Sequence, residues 1–205
     1  MPNKVFLELD TNKQESITDA AIKEFALYGY ENSSTNRIVK ECGISKGSLF
    51  KYFNNKEELY FYLIEKVSLR MAMETSSDVK NLPKDLFERV LEYSVTEISW
   101  YVENPTMGRF LIGVASEGNN QIGKKIRERF KDTNTDIYEQ LLKDVDMSAF
   151  KSSGKEIREI LRWVLSGFNE SFLKGLTGKD IDIRKIKKEY IKQLRNHLKV
   201  LKNGF

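Results

Sequence analysis

The chain has 205 residues, of which 40% are hydrophobic, 11% aromatic and 31% charged, and its formal net charge is +4. This composition supplies enough apolar material for one or two compact domains and excludes a disordered or fibrous protein. With one cysteine, Cys42, and one histidine, His197, the chain can form neither an internal disulfide nor a Cys/His metal site.

Neither a membrane-spanning segment nor a signal peptide is expected. No run of about 18 apolar residues occurs, and the segment from Met1 to Asp10 has mixed charge without an apolar stretch. We therefore expect a cytoplasmic protein that does not bind a membrane. Cys42 is expected to be a small buried apolar residue, because the chain offers it no second thiol.

Apolar residues recur at spacings of three and four along nearly the whole chain, which predicts an all-α protein of about nine helices. The first helix is predicted from about Lys13 to Tyr28, with Gly29 as its C-terminal cap. The side chains predicted to face inward from it are Ile17, Ala20, Ala21, Phe25 and Tyr28.

The segment 34–53 has the pattern of a helix-turn-helix. A short helical pattern ends at Gly43, where a residue without Cβ adopts a left-handed turn easily, and a second short helix follows from Ser45. In such a motif the second helix enters the major groove of DNA. Leu49 and Phe53 are predicted to face inward, since they lie at i and i+4. The exposed face is predicted to carry Lys46, Gly47, Ser48, Lys51 and Tyr52.

Polar residues stand where the predicted helices begin. Ser34 fits the N-cap of the second helix, Ser45 that of the third and Asn55 that of the fourth. Glu57 and Glu58 then lie in the first turn of the fourth helix, where negative charge complements the helix dipole.

Basic residues are concentrated in two segments. Between Ser33 and Lys56 a local excess suits contact with phosphate. Its members are Arg37, Lys40, Lys46, Lys51 and Lys56, against Glu41 alone. The tail from Arg184 to Lys202 is also basic, and two interpretations remain open: a second nucleic-acid patch, or the solvated face of an amphipathic helix. The second is favoured by an apolar stripe at helical spacing, formed by Ile183, Ile186, Tyr190, Leu194, Leu198 and Leu201.

The fourth helix is predicted to continue from Lys56 past Met73, farther than a small DNA-binding module needs. Polar residues between Thr75 and Lys84 mark a boundary. We therefore place one domain at residues 1–74 and a second at residues 75–205. In the second, one helix is predicted up to Asn104, and Pro105 is expected to begin the next. Two helices follow, with inward positions at Met107, Phe110, Leu111 and Val114, and then at Ile122, Ile126, Phe130, Ile137, Leu141 and Leu142.

The last two predicted helices form a candidate dimer interface. From about Gly154 to Leu176 the apolar stripe is wider than one partner helix requires. A terminal antiparallel hairpin of this kind fits a two-fold interface in which two hairpins form a four-helix bundle. Packing within one subunit is the alternative. The stripe consists of Ile157, Ile160, Leu161, Val164, Leu165, Phe168, Phe172 and Leu176.

From about Lys13 to Lys66 the chain resembles the TetR (tetracycline-repressor-like) family of bacterial transcription regulators. The matching residues are Ile17 to Ala21, Phe25, Gly29-Tyr30, Thr35, Ile38, Gly43 to Phe50, Tyr52-Phe53 and Lys56 to Leu59. The resemblance implies an N-terminal three-helix domain with the helix-turn-helix, joined by the long fourth helix to a C-terminal bundle. It further implies a homodimer on a palindromic operator, and a C-terminal domain that holds the effector and the dimer contacts.

The resemblance also assigns roles to residues. Thr35, Tyr52 and Lys56 would contact phosphates, and Lys46 and Gly47 would lie at the start of the recognition helix, where backbone amides favour an anion. The remaining residues assigned to DNA are Ser45 as a cap at the interface, Ser48 on a base edge or phosphate, Leu49 beside thymine methyls and Lys51 on guanine or phosphate. Phe50 departs from the family pattern, where Tyr is common, and so removes one hydroxyl.

The function expected from these observations is a transcription regulator, most simply a repressor that a small molecule releases from DNA. An aromatic pocket in the second domain would favour an apolar or amphiphilic effector. Its candidate residues are Trp100, Tyr101, Met107, Phe110, Trp163, Phe168 and Phe172, for which ordinary helical core is the alternative.

Two other classes of protein are alternatives to a transcription regulator. An all-helical enzyme has no positive support, since His197 has no Ser/His/Asp arrangement near it and no Glu-x-x-His pair occurs. No catalytic residue, metal or cofactor is therefore expected. A nucleoid-associated or adaptor protein that uses the helix-turn-helix without an effector remains the alternative.

Overall fold

The computed structural model describes residues 2–118, 120–131, 145–146, 153–174 and 182–204. Within these ranges it contains ten helices and no strand, which confirms the predicted all-α class. The helices are α1 (Lys4–Leu7), α2 (Thr11–Asn32), α3 (Thr35–Glu41), α4 (Lys46–Tyr52), α5 (Lys56–Lys80), α6 (Leu86–Glu103), α7 (Pro105–Ser116), α8 (Gln121–Arg129), α9 (Gly154–Lys174) and α10 (Ile183–Gly204). Among the predicted core positions, Ile137, Leu141, Leu142 and Leu176 lie outside the described residues.

The chain forms two compact units. The first comprises Met1–Ala72 and Asn104–Glu117, and the second comprises Met73–Glu103 and Gly118–Phe205. The continuous helix α5 begins in the first unit and ends in the second. The division differs from the predicted single boundary after residue 74, because the second unit begins at Met73 and α7 belongs to the first unit although it follows α6 in the chain.

Helix α2 is interrupted where the sequence predicted its end. Gly29 has a φ of 67° and a ψ of −176°, so the regular helix stops there and one more turn follows to Asn32. The positive φ explains why glycine occupies this position. Of the five predicted inward residues, Tyr28 is only half-buried. The Arg37 guanidinium lies over its ring, 4.2 Å from the ring centre.

The core of the first unit is aromatic where α2, α5 and α7 meet. Phe25 lies 4.8 Å from the ring of Tyr60, and Phe110 lies 5.6 Å from Tyr60 and 6.4 Å from Phe25, measured between ring centroids. All three side chains are buried, and burial raises the pKa of the Tyr60 hydroxyl. The side chain of Glu117 accepts a hydrogen bond from the Tyr30 amide at 3.3 Å and so ties the end of α7 to α2.

The core of the second unit joins α6, α9 and α10. Its buried members are Leu86, Phe87, Val90, Ile157, Leu161, Leu165, Tyr190, Leu194 and Leu198. Asp85 fixes the start of α6 by accepting from the amides of Phe87 and Glu88, both at 3.0 Å, and Lys202 of α10 donates to its other oxygen. Ser153 and Glu156 bond each other's amides at the start of α9, which is a capping box.

Helices α9 and α10 pack against each other as the predicted antiparallel hairpin. Phe172 contacts Tyr190 with ring centroids 5.1 Å apart, and Phe168, one turn earlier, contacts His197 at 5.3 Å. Trp163 on α9 faces away from this hairpin, and 67% of its surface is exposed. The basic residues of the tail cover the solvated side of α10, since Lys185, Lys188, Lys192, Arg195, Lys199 and Lys202 are all exposed.

None of the helices in the described part of the chain combines the length and the apolar character that crossing a membrane requires.

Candidate DNA-binding surface

The turn between α3 and α4 is set by Gly43. Its φ is 65°, a conformation that residues with a Cβ rarely adopt, although a Cβ there would meet no atom within 4 Å. The glycine is therefore required by backbone conformation and not by space. The amide of Ile44 donates to the carbonyl oxygen of Val39 at 3.0 Å and closes the turn. Cys42 next to it is buried, as predicted, and burial raises the pKa of its thiol.

Helix α4 begins with a side-chain cap at Ser45. Its Oγ accepts a hydrogen bond from the Ser48 amide at 3.0 Å and lies 2.9 Å from the Ser48 hydroxyl. This confirms Ser45 as the N-cap. The Ser48 amide already has a partner within the protein, so any anion at this helix start would have to use the amides of Lys46 and Gly47.

The two faces of α4 separate as the sequence predicted, with one correction. Leu49 and Phe53 are each 1% exposed and hold the helix on its scaffold. The predicted contact of Leu49 with thymine methyls is corrected, because its side chain is enclosed in the core. On the other face, Lys46, Gly47 and Lys51 are exposed, and Ser48 and Tyr52 are half-buried. Phe50 is 38% exposed and Thr35, the first residue of α3, is half-buried.

Arg37 is engaged within the protein. Its Nε and terminal nitrogen donate to both carboxylate oxygens of Glu24 at 2.5 to 3.0 Å, and the same nitrogen reaches the carbonyl oxygen of Asn32 at 2.9 Å. Glu24 is buried and also accepts from the Ser34 amide at 2.7 Å. The hydrogen bond to Glu24 raises the pKa of Arg37. Ser34 thus stands at the predicted cap position, but its amide, and not its side chain, makes the contact that fixes α3 on α2.

Lys56 also turns its ammonium inward. The Nζ atom donates to the carbonyl oxygens of Tyr30, Glu31 and Ser33 at 2.7, 3.3 and 3.3 Å, and lies 4.5 Å from the centre of the Tyr30 ring. These carbonyls belong to the last turn of α2 and the residue after it, which lack partners within the helix. Lys56 therefore joins the start of α5 to the end of α2. A count of charges along the sequence does not distinguish such a lysine from one that faces solvent.

A contact that the sequence did not predict braces the recognition helix. The amide of Asn3 donates to the carbonyl oxygen of Tyr52 at 2.8 Å, and its side-chain amide donates to the carbonyl oxygen of Lys51, also at 2.8 Å. Phe6, fully buried, lies 4.8 Å from Phe53 between ring centroids. The N-terminal segment thus caps the C-terminal end of α4. The short apolar run Val5-Phe6-Leu7 was the one signal available in the sequence.

What remains exposed on this side of the first unit is a small basic surface. Lys40 of α3 and Lys46 and Lys51 of α4 are exposed, whereas Arg37 and Lys56 have carboxylate and carbonyl partners. A Cβ at Gly47 would meet only the Ser45 Oγ, at 3.8 Å, which is an ordinary contact. Packing within the protein therefore does not require a glycine at position 47. A short helix with exposed lysines and with a glycine that leaves its backbone uncovered can contact DNA phosphates and enter the major groove.

The seven candidate effector residues fall into three groups. Met107 and Phe110 lie in the first unit, where Phe110 is part of the core with Phe25 and Tyr60. Trp163 faces outward. The other four lie in the second unit: Trp100 and Tyr101 on α6, in edge contact at 6.0 Å, and Phe168 and Phe172 on α9, 5.8 Å apart.

Helices α9 and α10 border an open cavity of about 760 Å³, which Phe168 and Phe172 help to line. The other lining residues are Val164, Gly167, Ser171, Lys185, Ile186, Glu189, Gln193 and His197. In the part of the chain that the structure describes, no three His, Cys, Asp or Glu side chains are grouped so as to hold a metal ion.

Comparison with known proteins supports this interpretation of the first unit. Residues 17–63 match the family model described as "Bacterial regulatory proteins, tetR family". An HTH-type transcriptional regulator of Staphylococcus aureus is 28% identical over 133 residues, which cover 65% of this chain and 69% of that protein. The HTH-type transcriptional repressor AcnR of Corynebacterium glutamicum is 36% identical over 62 residues, 30% of this chain and 33% of that protein.

Solved structures share the fold over most of the chain. FadR from Bacillus subtilis, solved in complex with stearoyl-CoA, has a TM-score of 0.65 at 20% identity and covers 87% of this chain and 96% of its own. A TetR-family regulator from Syntrophomonas wolfei has a TM-score of 0.67 at 19% identity, covering 94% and 96%. Residues 17–63, which include the helix-turn-helix, thus match the tetR family of bacterial regulatory proteins, and the chain shares the all-α fold of solved TetR-family structures.

Proposed function

We propose that the chain is a sequence-specific repressor, which binds a palindromic operator as a homodimer in the cytoplasm and is released by a small apolar or amphiphilic molecule. The observation that carries the proposal is the division of α4. Leu49 and Phe53 are buried, while Lys46, Gly47 and Lys51 are exposed. A helix held in this way can enter a major groove without unfolding any part of its own unit.

We assign the residues of the basic surface as follows. Lys46 and the backbone at Gly47 approach phosphate, Lys51 and Ser48 reach base edges, and Thr35, Tyr52 and Lys40 contact the flanking backbone. Ser45 acts as the cap that orders these groups. Lys56 is assigned to holding the end of α2, because three carbonyl oxygens already accept from its ammonium.

The dimer is proposed to form through α9 and α10. Their outer side combines the exposed Trp163 with the cavity bordered by Phe168 and Phe172. Pairing two such hairpins would bury this apolar surface in a four-helix bundle. A two-fold dimer presents two recognition helices, and one turn of DNA, about 34 Å, separates the half-sites that they would bind.

The effector is proposed to act by shifting populations between two arrangements of the dimer. Helix α7, whose Phe110 packs on α2, follows α6 of the second unit after the single residue Asn104. A ligand that displaces α6 would therefore move α7 and, with it, the scaffold of α4. The FadR structure with stearoyl-CoA gives an example of a protein of this fold in complex with an amphiphilic molecule.

Selection of bound duplexes from a random DNA pool tests the proposal. We expect a palindromic site with half-sites one helical turn apart, bound much more tightly than unrelated DNA at physiological salt. Equal affinity for all sequences would overturn the proposal in favour of a nucleoid-associated role, and failure to bind any DNA would favour an adaptor. Measuring the salt dependence of the selected site then counts the phosphate contacts.

A further inference from the structure

Phe50 is an aromatic residue on the exposed side of α4. Its side chain is 38% exposed, whereas its apolar neighbours Leu49 and Phe53 are each 1% exposed. Among the seven described residues of α4, Phe50 is the one exposed residue with an entirely apolar side chain. The core of the first unit thus encloses Leu49 and leaves part of the Phe50 ring in contact with solvent.

The helical spacing places Phe50 within the exposed face of α4. Successive residues of an α-helix lie about 100° apart around its axis, so Phe50 falls about 40° from Lys46 and about 60° from Gly47, between the two. Lys51 follows about 40° beyond Gly47. All four of these residues are exposed. The ring therefore lies inside the face that would enter the major groove, and not at its edge.

The Phe50 ring is not held by another aromatic ring. In the part of the chain that the structure describes, neither a ring contact nor a cation–π contact includes it. By contrast, the Tyr52 ring lies 5.9 Å from that of Phe6 between centroids, so Tyr52 packs on the N-terminal segment. Apolar surface in water is unfavourable, and burial against another molecule removes that penalty. Phe50 thus has apolar surface that a bound duplex can cover.

The chemistry of the major groove restricts what such a ring can recognise. The base edges present hydrogen-bond donors and acceptors, and the C5-methyl of thymine is the apolar group among them. A phenylalanine ring has neither a donor nor an acceptor, so the polar edges of the other bases offer it no specific contact. Leu49, the other apolar side chain of α4, is enclosed in the core and cannot reach a methyl group.

We propose that Phe50 is a specificity-determining residue, which selects thymine at one position of each half-site by covering the C5-methyl group of that base. The inference rests on the proposed function, because it requires α4 to enter the major groove of a selected operator. It adds an apolar contact to the hydrogen bonds assigned to Lys51 and Ser48. Since the methyl group belongs to one base of the pair, the contact also distinguishes T·A from A·T.

Deoxyuridine isolates this contact, because it pairs with adenine as thymine does and lacks only the methyl group. Each thymine of the selected operator is replaced in turn, in both half-sites at once, and the Kd of the full-length protein is measured by fluorescence anisotropy at constant salt. We expect one position at which the replacement weakens binding about fourfold per half-site, the effect of burying one such group. Phe50→Ala should bind the thymine and deoxyuridine duplexes of that position within about twofold of each other.

Two further variants control for the ring and for exposed apolar surface in general. Phe50→Tyr keeps the ring and adds a hydroxyl, so it should retain the loss of affinity on deoxyuridine replacement. Leu69→Ala removes an exposed apolar side chain of α5 and should respond as the wild type does at every position. Circular dichroism verifies that each variant is folded. A repeated DNA selection with Phe50→Ala should lose the preference for thymine at this one position.

The outcomes separate this inference from the proposed function. An operator in which no deoxyuridine replacement weakens the wild type, or whose half-sites contain no thymine on either strand, would overturn the inference and leave the proposed function standing. So would an equal loss in the wild type and in Phe50→Ala, since another group would then contact the methyl. A pool that yields no preferred sequence would overturn both. The scan of the wild type needs no variant, so it decides the inference even if Phe50→Ala does not fold.

Discussion

The backbone amide of Asn3 donates to the carbonyl oxygen of Tyr52 at 2.8 Å, so the N-terminal segment closes the C-terminal end of the recognition helix. The carbonyls in the last turn of a helix have no partner within it, and a helix of seven residues has few internal bonds to offset them. Asn3 supplies partners to two of these carbonyls, at Lys51 and Tyr52.

Asn3→Ala removes the side-chain half of this brace. We expect the substitution to lower the free energy of unfolding by about 1 kcal/mol, which is the net value of one hydrogen bond. We also expect it to lower the affinity for every DNA sequence by a similar factor, because Asn3 contacts no base in the proposed complex. Thermal unfolding and fluorescence anisotropy measure the two effects. Lys4→Ala, which removes only the exposed pair between Lys4 and Glu8, serves as control and should change neither.

Gly47→Ala separates the requirements of folding from those of DNA binding. A Cβ at this position meets only ordinary contact in the protein, and alanine favours a helix over glycine by about 0.5–1 kcal/mol. We expect the melting temperature to stay equal or rise while operator affinity falls by about tenfold, because the methyl group holds the backbone away from DNA. Gly113→Ala in α7, where a Cβ meets nothing within 4 Å, should stabilise without the loss of affinity. Unchanged affinity in Gly47→Ala would contradict the assigned surface.

Glu24→Ala tests whether the contact between α2 and α3 holds the motif together. Glu24 is buried and bonds both the Arg37 guanidinium and the Ser34 amide, so its loss leaves two donors without their acceptor. We expect a loss of about 1–3 kcal/mol in the free energy of unfolding by urea. Glu41→Ala removes an exposed partner of Lys23 and should be silent. If the two variants unfold at the same urea concentration, the buried pair does not stabilise the motif.

Lys51 and Lys56 both lie in the basic segment of the sequence, but in the structure Lys51 is exposed whereas the Lys56 ammonium donates to three carbonyl oxygens. Substitutions of these two lysines can therefore be compared directly. Lys56→Ala should lower the melting temperature, because the carbonyls of Tyr30, Glu31 and Ser33 lose their shared donor. Lys51→Ala should leave stability unchanged and alter base preference in a repeated DNA selection. If Lys56→Ala instead kept its stability and lowered affinity for all sequences with a shallower salt slope, the lysine would contact phosphate, as the family resemblance implies.

The features that the sequence predicted well depend on neighbouring residues. The ends and caps of the helices at Gly29, Gly43 and Ser45 follow from backbone conformation and from a side chain three residues away, and all three were confirmed. The brace by Asn3 depends on a partner 48 residues along the chain, for which no local pattern exists. Likewise, helical spacing predicts that Phe110 is buried, but it does not predict that Phe110 belongs to the core of the first unit.

Charge posed a related difficulty in the second unit. The helical spacing of α6 places Glu97 on the inward side, where the other residues are apolar. The sequence alone does not show whether a lysine forms an ion pair with this carboxylate. The structure gives Lys187 a different partner, Ser99. The Glu97 carboxylate therefore stays on the apolar side of α6 in the folded protein without Lys187 as a partner. Departures of this kind from the apolar pattern are common at functional sites.

Glu97→Gln has a predicted pH dependence whose sign follows from burial. Desolvation raises the pKa of Glu97 above its ordinary value of 4.5, so the folded state binds the proton more tightly than the unfolded state does. The contribution of Glu97 to stability is then fully present below pH 4.5 and is lost as the pH rises through the higher, folded-state pKa. Because glutamine stays neutral, the variant should melt at a higher temperature than the wild type at pH 7.5, and the difference should shrink as the pH falls towards 4.5. Melting curves of both proteins across this range measure it, and Glu92→Gln, at an exposed position on the same helix, is expected to show no such trend. A difference that stayed constant with pH would mean that Glu97 is hydrated in the folded state and that the space beside it is open solvent.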